Sequence, residues 1–186
     1  GALGNTSSCG KCLMELYEWG WIKKIPRIAV INADGANTLD VLYNGKFENT
    51  ELRWNKGNPD TKLIEDYYVK MNKDHIRPKT KATAIQIGKP VNLLKGIRAL
   101  EFTDGVVTTV TDKEMLDGMS IVGLNGFDCE MASGAVPAGI KKLLNDNIMK
   151  KDDKIIGILT GRQKEPLLPI NYHNEPTNQF AKPPKR

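Results

Sequence analysis

The strongest constraint on the fold is an alternation of short apolar runs with amphipathic stretches along the chain. Runs rich in β-branched residues predict strands over residues 27–32, 106–111 and 154–160. The first and last runs are nearly all apolar, which is typical of strands covered on both faces of a parallel sheet. Because helical patterns separate the runs, the sequence predicts an α/β fold, a three-layer αβα arrangement with a mostly parallel sheet.

The starts of two helices are marked by short motifs. Asn58 followed by Pro59 predicts an N-cap with proline at the first helical position. Thr111 and Glu114 have the spacing of a capping box, in which hydroxyl and carboxylate satisfy backbone donors that a helix start leaves free. This box predicts a helix that continues from the end of the second strand to about Val122.

Three further helices are predicted from apolar periodicity. One follows the opening glycines, one covers residues 92–102, and one begins near Ser133 and includes Leu144. The residues predicted to face a core are Leu63, Ile64, Tyr67, Tyr68, Met71, Leu93, Leu94, Ile97 and Leu100.

Composition excludes several classes of protein. The chain has 186 residues, of which 40% are hydrophobic and 26% charged, as in an ordinary globular domain. No apolar run approaches a membrane span, no secretory signal is present, and dispersed lysines and arginines argue against nucleic-acid binding despite a net charge of +5. Three cysteines are too few for a disulfide framework, so we expect a reducing, cytoplasmic setting.

The opening residues 1–8 are rich in glycine and pass into a predicted helix. Glycines let backbone N–H groups approach an anion closely, and a helix N-terminus adds free donors and a favourable dipole. Phosphate binding is one interpretation. An ordinary turn at Gly4 and Asn5, with Ser7 or Ser8 as the N-cap, is the other.

Several motifs in collinear order resemble threonine synthases of the fold type II pyridoxal-phosphate superfamily. They are GALGNTS (1–7), VINADGAN (30–37), RWN (53–55), PDT (59–61), AIQI (84–87), PVN (90–92), CEMAS (129–133) and LTG (159–161). The resemblance implies that residues 1–166 are the C-terminal part of a cofactor-binding large domain of the tryptophan synthase β type. Residues 167–186 would form a proline-rich C-terminal arm.

The resemblance implies pyridoxal 5′-phosphate as cofactor and assigns residues to it. Thr160, at the end of the third predicted strand, would meet the ring nitrogen with a neutral hydroxyl. Ala2 stands where the family usually has asparagine, and Arg162 where it has histidine. The cofactor phosphate would bind backbone N–H groups of Gly1, Ala2, Leu3, Gly4 and Asn5.

The implied reaction converts O-phosphohomoserine and water to threonine and phosphate. The lysine that binds the cofactor covalently lies upstream in the family, so no catalytic residue is expected in this segment, which alone should be inactive and poorly soluble. The chain opens without methionine, as a processed protein or a fragment would. A small-molecule substrate and a possible homo-oligomer are expected, with no metal, nucleic acid or membrane.

Two alternatives stay open. One is another fold type II lyase, such as a threonine dehydratase or cysteate synthase, although the insert over residues 53–75 favours the synthase. The other is a non-catalytic scaffold that binds anions.

Several residues also have a structural interpretation. Cys9 and Cys12 have the spacing of a metal or redox pair but fit a packed helix better, since no second pair follows. Ser133 could be a nucleophile beside Glu130, yet helix capping is the favoured role. The three tryptophans are predicted packing anchors, and without the resemblance Thr160 is simply a residue at a strand end.

Overall fold

A computed structural model describes residues 1–55 and 58–162. The chain forms two compact units, Gly1–Thr109 and Val110–Arg186. Its helices and strands are α1 (Gly4–Glu18), β1 (Ala29–Ala33), α2 (Thr38–Tyr43), β2 (Trp54–Asn55), β3 (Asn58–Pro59), α3 (Thr61–Lys73), α4 (Leu93–Phe102), β4 (Val106–Val110), α5 (Asp112–Leu124) and α6 (Met131–Asn145), with a short 3-10 helix at Thr83–Ile85.

The central strands of the first unit are β1 and β4, which pair in a parallel sheet. The pairing begins where the Val106 N–H donates to the Ile28 carbonyl at 2.9 Å. These strands correspond to the first two predicted ones, and the α/β class with a parallel sheet is confirmed. Parallel strands need a long crossover, and the helices between β1 and β4 supply it.

The core of the first unit is built by β1, α2, α3 and α4. Leu39, Leu42, Ile97 and Leu100 are at most 1% exposed, so each contributes roughly 1.5–3 kcal/mol by burial. The predicted core positions on α3 and α4 are confirmed as buried or partly buried, with one exception: Leu94 is 37% exposed.

The predicted start of α3 is wrong by two residues. Asn58 and Pro59 form β3, which pairs antiparallel with Trp54 and Asn55. The N-cap is Asp60, whose carboxylate accepts the Leu63 N–H at 3.1 Å. A carboxylate at this position also suits the helix dipole, so it replaces the cap expected at Asn58.

Two helices, α1 and α4, pack closely in the first unit. Gly10 is buried on α1, and a Cβ there would collide with the side chain of Ala99 on α4. The two tryptophans that follow α1 are not packing anchors, because Trp19 is 62% and Trp21 75% exposed. Trp54 does pack against the core, as predicted.

The second unit is built on α5 and α6, which also pack closely. The backbones of α5 and α6 are in contact at Gly118 and Gly134, since a Cβ on either glycine would collide with a main-chain carbonyl of the other helix. The predicted capping box is confirmed: the Thr111 hydroxyl accepts the Glu114 N–H at 3.2 Å, and the Glu114 carboxylate accepts the Thr111 N–H at 2.7 Å.

The third predicted strand is not formed. Residues 154–160 form neither helix nor strand and are exposed, and Ile156 is 90% exposed. A strand needs a hydrogen-bonded neighbour, and none pairs with this run within residues 1–55 and 58–162. The predicted arm at 167–186 lies outside the described residues. None of the described helices is long and apolar enough to cross a membrane.

Candidate functional site

The opening residues turn directly into α1, which begins at Gly4. The alternative in which Ser7 or Ser8 caps the helix is wrong, because both lie inside it. The Ser7 hydroxyl instead donates back to the Gly4 carbonyl at 2.8 Å. The residue in the N-cap position is Leu3, which offers no side-chain acceptor.

Leu3 adopts a left-handed conformation, with φ 64° and ψ 19°. For a residue with a branched side chain this costs about 1–2 kcal/mol. The side chain is only 6% exposed and packs against Gly96 on α4, where an added Cβ would meet Leu3 at 3.0 Å. Packing therefore holds a strained backbone in place, as is common at ligand sites.

The turn at Leu3 leaves backbone donors free at the start of α1. The first helical hydrogen bond runs from the Ser7 N–H to the Leu3 carbonyl at 3.0 Å. In the part of the chain that the structure describes, the N–H groups of Gly4, Asn5 and Thr6 have no acceptor. A left-handed residue followed by helical ones turns successive N–H groups towards one point, which suits an anion.

Asn92, the N-cap residue of α4, lies beside this loop. Its N–H donates to the Ala2 carbonyl at 3.1 Å, which ties the loop to α4. Its side chain makes no cap bond, and its Nδ2 lies 3.8 Å from the position a Cβ would take on Gly4. Asn92 was predicted only as the first residue of the helix at 92–102, with no role at the site.

Thr160 lies in the second unit, on the exposed run rather than at the end of a buried strand. Its N–H donates to the Ser133 hydroxyl oxygen at 3.0 Å. Ser133 is 2% exposed and does not cap α6, because the N-cap is Glu130 and the helix begins at Met131. The predicted capping role of Ser133 is therefore wrong, and the side chain holds Thr160 instead.

Gly161 is also held by hydrogen bonds to Ser133 and Glu130. Its N–H donates to the Ser133 oxygen at 3.3 Å, and its carbonyl accepts the Glu130 N–H at 3.0 Å. A Cβ on Gly161 would meet the Glu130 carboxylate, so this side chain would have to move aside to admit one. Arg162 adds an exposed ion pair with Asp128 at 3.5 Å.

The predicted site residues fall into two groups. Gly1, Ala2 and Leu3 lead into α1, and Gly4 and Asn5 are its first two residues in the first unit, whereas Thr160 lies in the second unit.

The three cysteines differ in burial: Cys129 is buried, Cys9 is partly buried and Cys12 is exposed. Cys9 and Cys12 lie on α1 as predicted, but Cys12 does not pack. Burial raises the pKa of the Cys129 thiol, and the nearby carboxylates of Asp128 and Glu130 raise it further, so this thiol stays protonated at neutral pH. Within the described ranges, no three histidine, cysteine or acidic side chains gather as a metal site would require.

Comparison with curated proteins finds threonine synthases. The chain is 33% identical over 181 residues to the threonine synthase of Methanocaldococcus jannaschii, covering 95% of this chain and 38% of that protein. It is 38% identical over 102 residues to the threonine synthase of Methanosarcina acetivorans, covering 54% of this chain and 25% of that protein. It is 26% identical over 183 residues to threonine synthase 2, chloroplastic, of Arabidopsis thaliana, covering 97% of this chain and 31% of that protein.

The predicted resemblance is confirmed, because the similarity to threonine synthases extends along nearly the whole chain. The chain spans 25–38% of the length of these three relatives. No protein-family model matches it.

Proposed function

We propose that this chain is the C-terminal part of a threonine synthase, a cytoplasmic fold type II enzyme that uses pyridoxal 5′-phosphate. In the intact protein it would serve the conversion of O-phosphohomoserine and water to threonine and phosphate. The observation that carries the proposal is 33% identity to a threonine synthase over 95% of the chain. The lysine that binds the cofactor covalently would lie in the part of the enzyme upstream of Gly1.

The start of α1 fits the cofactor phosphate. The free N–H groups of Gly4, Asn5 and Thr6 are the donors that a phosphate accepts from, and no acidic side chain lies in the first helical turn. The left-handed conformation of Leu3 supports the assignment, since a left-handed residue before helical ones turns successive N–H groups towards one point.

Asn92 would supply the side-chain amide that Ala2 does not provide. The related enzymes usually have asparagine at the position of Ala2. The Nδ2 of Asn92 lies 3.8 Å from the Cβ position of Gly4, so an amide is available beside the loop from another element. This arrangement supports phosphate binding despite Ala2.

Thr160 would meet the ring nitrogen with its hydroxyl. A hydroxyl is neutral and can donate one hydrogen bond, so it does not fix a proton on the ring as a carboxylate would. When bound, the cofactor supplies an electron sink that stabilises the carbanions formed as protons leave the substrate. The residues of this chain would bind and orient the ring and phosphate, and none of them would need to transfer a proton.

The test uses the protein expressed from its complete reading frame. We expect a visible absorption band with pyridoxal phosphate that borohydride abolishes, together with release of phosphate and threonine from O-phosphohomoserine. Formation of ketobutyrate from threonine, without phosphate release from O-phosphohomoserine, would favour a dehydratase. Absence of both activities and of the band would favour a non-catalytic scaffold.

A pair of substitutions at Gly4 tests the phosphate loop. Space around Gly4 is open, because a Cβ there meets only Asn92. Gly4→Asp puts a negative charge where the phosphate would bind, although an acidic residue in the first turn favours the helix itself. We expect Gly4→Asp to release the cofactor while Gly4→Ala retains it, and equal cofactor affinity in both would contradict the assignment.

A further inference from the structure

The polar side chain of Ser133 is buried although it does not cap its helix. It is the third residue of α6 and is 2% exposed, yet it gives the helix no cap. A buried hydroxyl is costly unless its hydrogen-bonding capacity is used. Its partners all come from one place, the backbone and side chain of Thr160 and the backbone of Gly161.

The lone pairs of the Ser133 oxygen are both occupied. One accepts the Thr160 N–H at 3.0 Å and the other the Gly161 N–H at 3.3 Å. A serine hydroxyl has two acceptor sites and one proton to donate. The contact of 3.4 Å between the two hydroxyl oxygens allows either one to donate. With both acceptor sites of Ser133 filled, Ser133 is the donor in this contact and Thr160 the acceptor.

This direction of donation determines whether the Thr160 hydroxyl can donate a hydrogen bond to a ligand. Because its oxygen accepts the Ser133 proton, the proton of Thr160 must point away from Ser133. An exposed donor results, and the side chain is exposed in the second unit. An unprotonated ring nitrogen is an acceptor, and it is the form that such a donor selects.

The backbone around Thr160 is fixed by the same helix start. The Gly161 carbonyl accepts the Glu130 N–H at 3.0 Å, and no Cβ separates Gly161 from the Glu130 carboxylate. The Thr160 hydroxyl is thus held by α6 on an otherwise exposed run.

We propose that Ser133 is a positioning residue for the proposed cofactor site: it holds the Thr160 backbone and turns the Thr160 hydroxyl into a donor to an unprotonated pyridine nitrogen. This inference rests on the proposed function. It assigns Ser133 no contact with the cofactor and no step in the reaction.

The test uses the protein from its complete reading frame, loaded with pyridoxal phosphate labelled with ¹⁵N at the ring nitrogen. In the unsubstituted protein we expect a ¹⁵N chemical shift displaced from that of a free unprotonated ring towards, but not reaching, that of the protonated ring. Ser133→Ala should move the shift back towards the free unprotonated value and weaken cofactor binding by about tenfold. Ser120→Ala is the matched control, because the Ser120 hydroxyl only donates to the Leu116 carbonyl within α5.

Two further variants separate positioning from folding. Ser133→Cys keeps the shape of the side chain with a slightly larger atom but forms only weak hydrogen bonds, so it should resemble Ser133→Ala even where its thermal stability is unchanged. If Ser133 acts through Thr160, adding Ser133→Ala to Thr160→Val should change neither chemical shift nor affinity beyond Thr160→Val alone. Additive effects, or a Ser133→Ala chemical shift and affinity equal to those of the unsubstituted protein, would overturn the inference. Failure of the unsubstituted protein to bind cofactor would instead overturn the proposed function.

Discussion

Two segments of similar composition have different structures in this protein. Residues 27–33 and 154–160 are both short, apolar and rich in isoleucine. The first includes β1, which pairs with β4 and joins the core of its unit through Val30. The second forms no strand, and Ile156 and Ile158 are 90% and 55% exposed. Apolar composition alone therefore does not make a strand; a hydrogen-bonded neighbour and a covered face are also needed.

The largest effect on the free energy of unfolding is expected in the first unit, where the apolar strand is covered. Leu42 is fully buried in the core of the first unit, so Leu42→Ala should lower the free energy of unfolding by about 3–4 kcal/mol. Ile156→Ala is the matched change on the exposed run and should cost less than about 0.5 kcal/mol in this chain. Pulse proteolysis in urea measures both and needs little protein.

The same two substitutions, made in the complete protein, test whether the two apolar runs differ there as well. If the segment around Ile156 is a strand whose neighbours lie upstream, as the proposed function implies, Ile156→Ala should cost about 1–3 kcal/mol there. Leu42→Ala should cost the same in both chains. A small cost for Ile156→Ala in both would mean that the run is exposed in the enzyme as well.

The next largest effect is expected at the contact between α5 and α6, which builds the second unit although the third predicted strand is not formed. Gly134→Ala puts a Cβ against the Met115 carbonyl on α5, so α5 and α6 must separate. We expect a loss of about 2–3 kcal/mol in the free energy of unfolding, measured by urea denaturation. Gly123→Ala, whose Cβ would meet nothing, should instead stabilise α5 by up to about 1 kcal/mol. A mild Gly134→Ala would show that the glycine contact is not what joins the helices.

Much of the fold could be predicted because its signals are local. The capping box at Thr111 and Glu114 lies within one turn, and it forms as predicted. The α3 start was missed because Asp60 competes with Asn58 for the cap, and spacing alone does not choose between them. Strand pairing at 154–160 depends on residues far away in sequence, so a local pattern cannot decide it.

The position of the candidate site stays a prediction, and the local geometry of its residues could not be predicted from the sequence. The glycine-rich opening pointed to residues 1–5, but the left-handed turn at Leu3 has no sequence signal, because packing against Gly96 imposes it. Asn92 and Ser133 were missed in their observed roles. Both act on residues distant in the chain, Ala2 and Thr160, which only the tertiary structure brings near them.

A smaller effect is expected where the formed strand β4 meets α5. Thr111→Ala removes the N-cap hydroxyl and should cost about 1 kcal/mol in the free energy of unfolding. Ser120→Ala, within α5, is the control and should be neutral or slightly stabilising. Urea denaturation monitored by circular dichroism would measure both. Equal results would mean that the capping box contributes nothing to the junction.

The smallest effect is the pH dependence of the same junction. Hydrogen bonds from the Thr111 backbone, and then from its hydroxyl, lower the pKa of Glu114 below its ordinary value of 4.5. A lowered pKa in the folded state means that the stabilisation is present above about pH 4.5 and is lost as the pH falls through the folded pKa. Glu114→Gln should therefore be less stable than the unsubstituted chain at neutral pH, and the difference should shrink in acid.

Thr111→Ala separates the two hydrogen bonds of this junction. It keeps the backbone N–H, the largest cause of the lowered pKa of Glu114, so most of the acid dependence should persist in this variant and disappear in Glu114→Gln. Free energies of unfolding from urea denaturation at pH 7 and at about pH 3 would measure this. A Glu114→Gln difference that does not vary with pH would show that the carboxylate is not held by the Thr111 backbone, and that this strand end is joined to its helix by the hydroxyl alone.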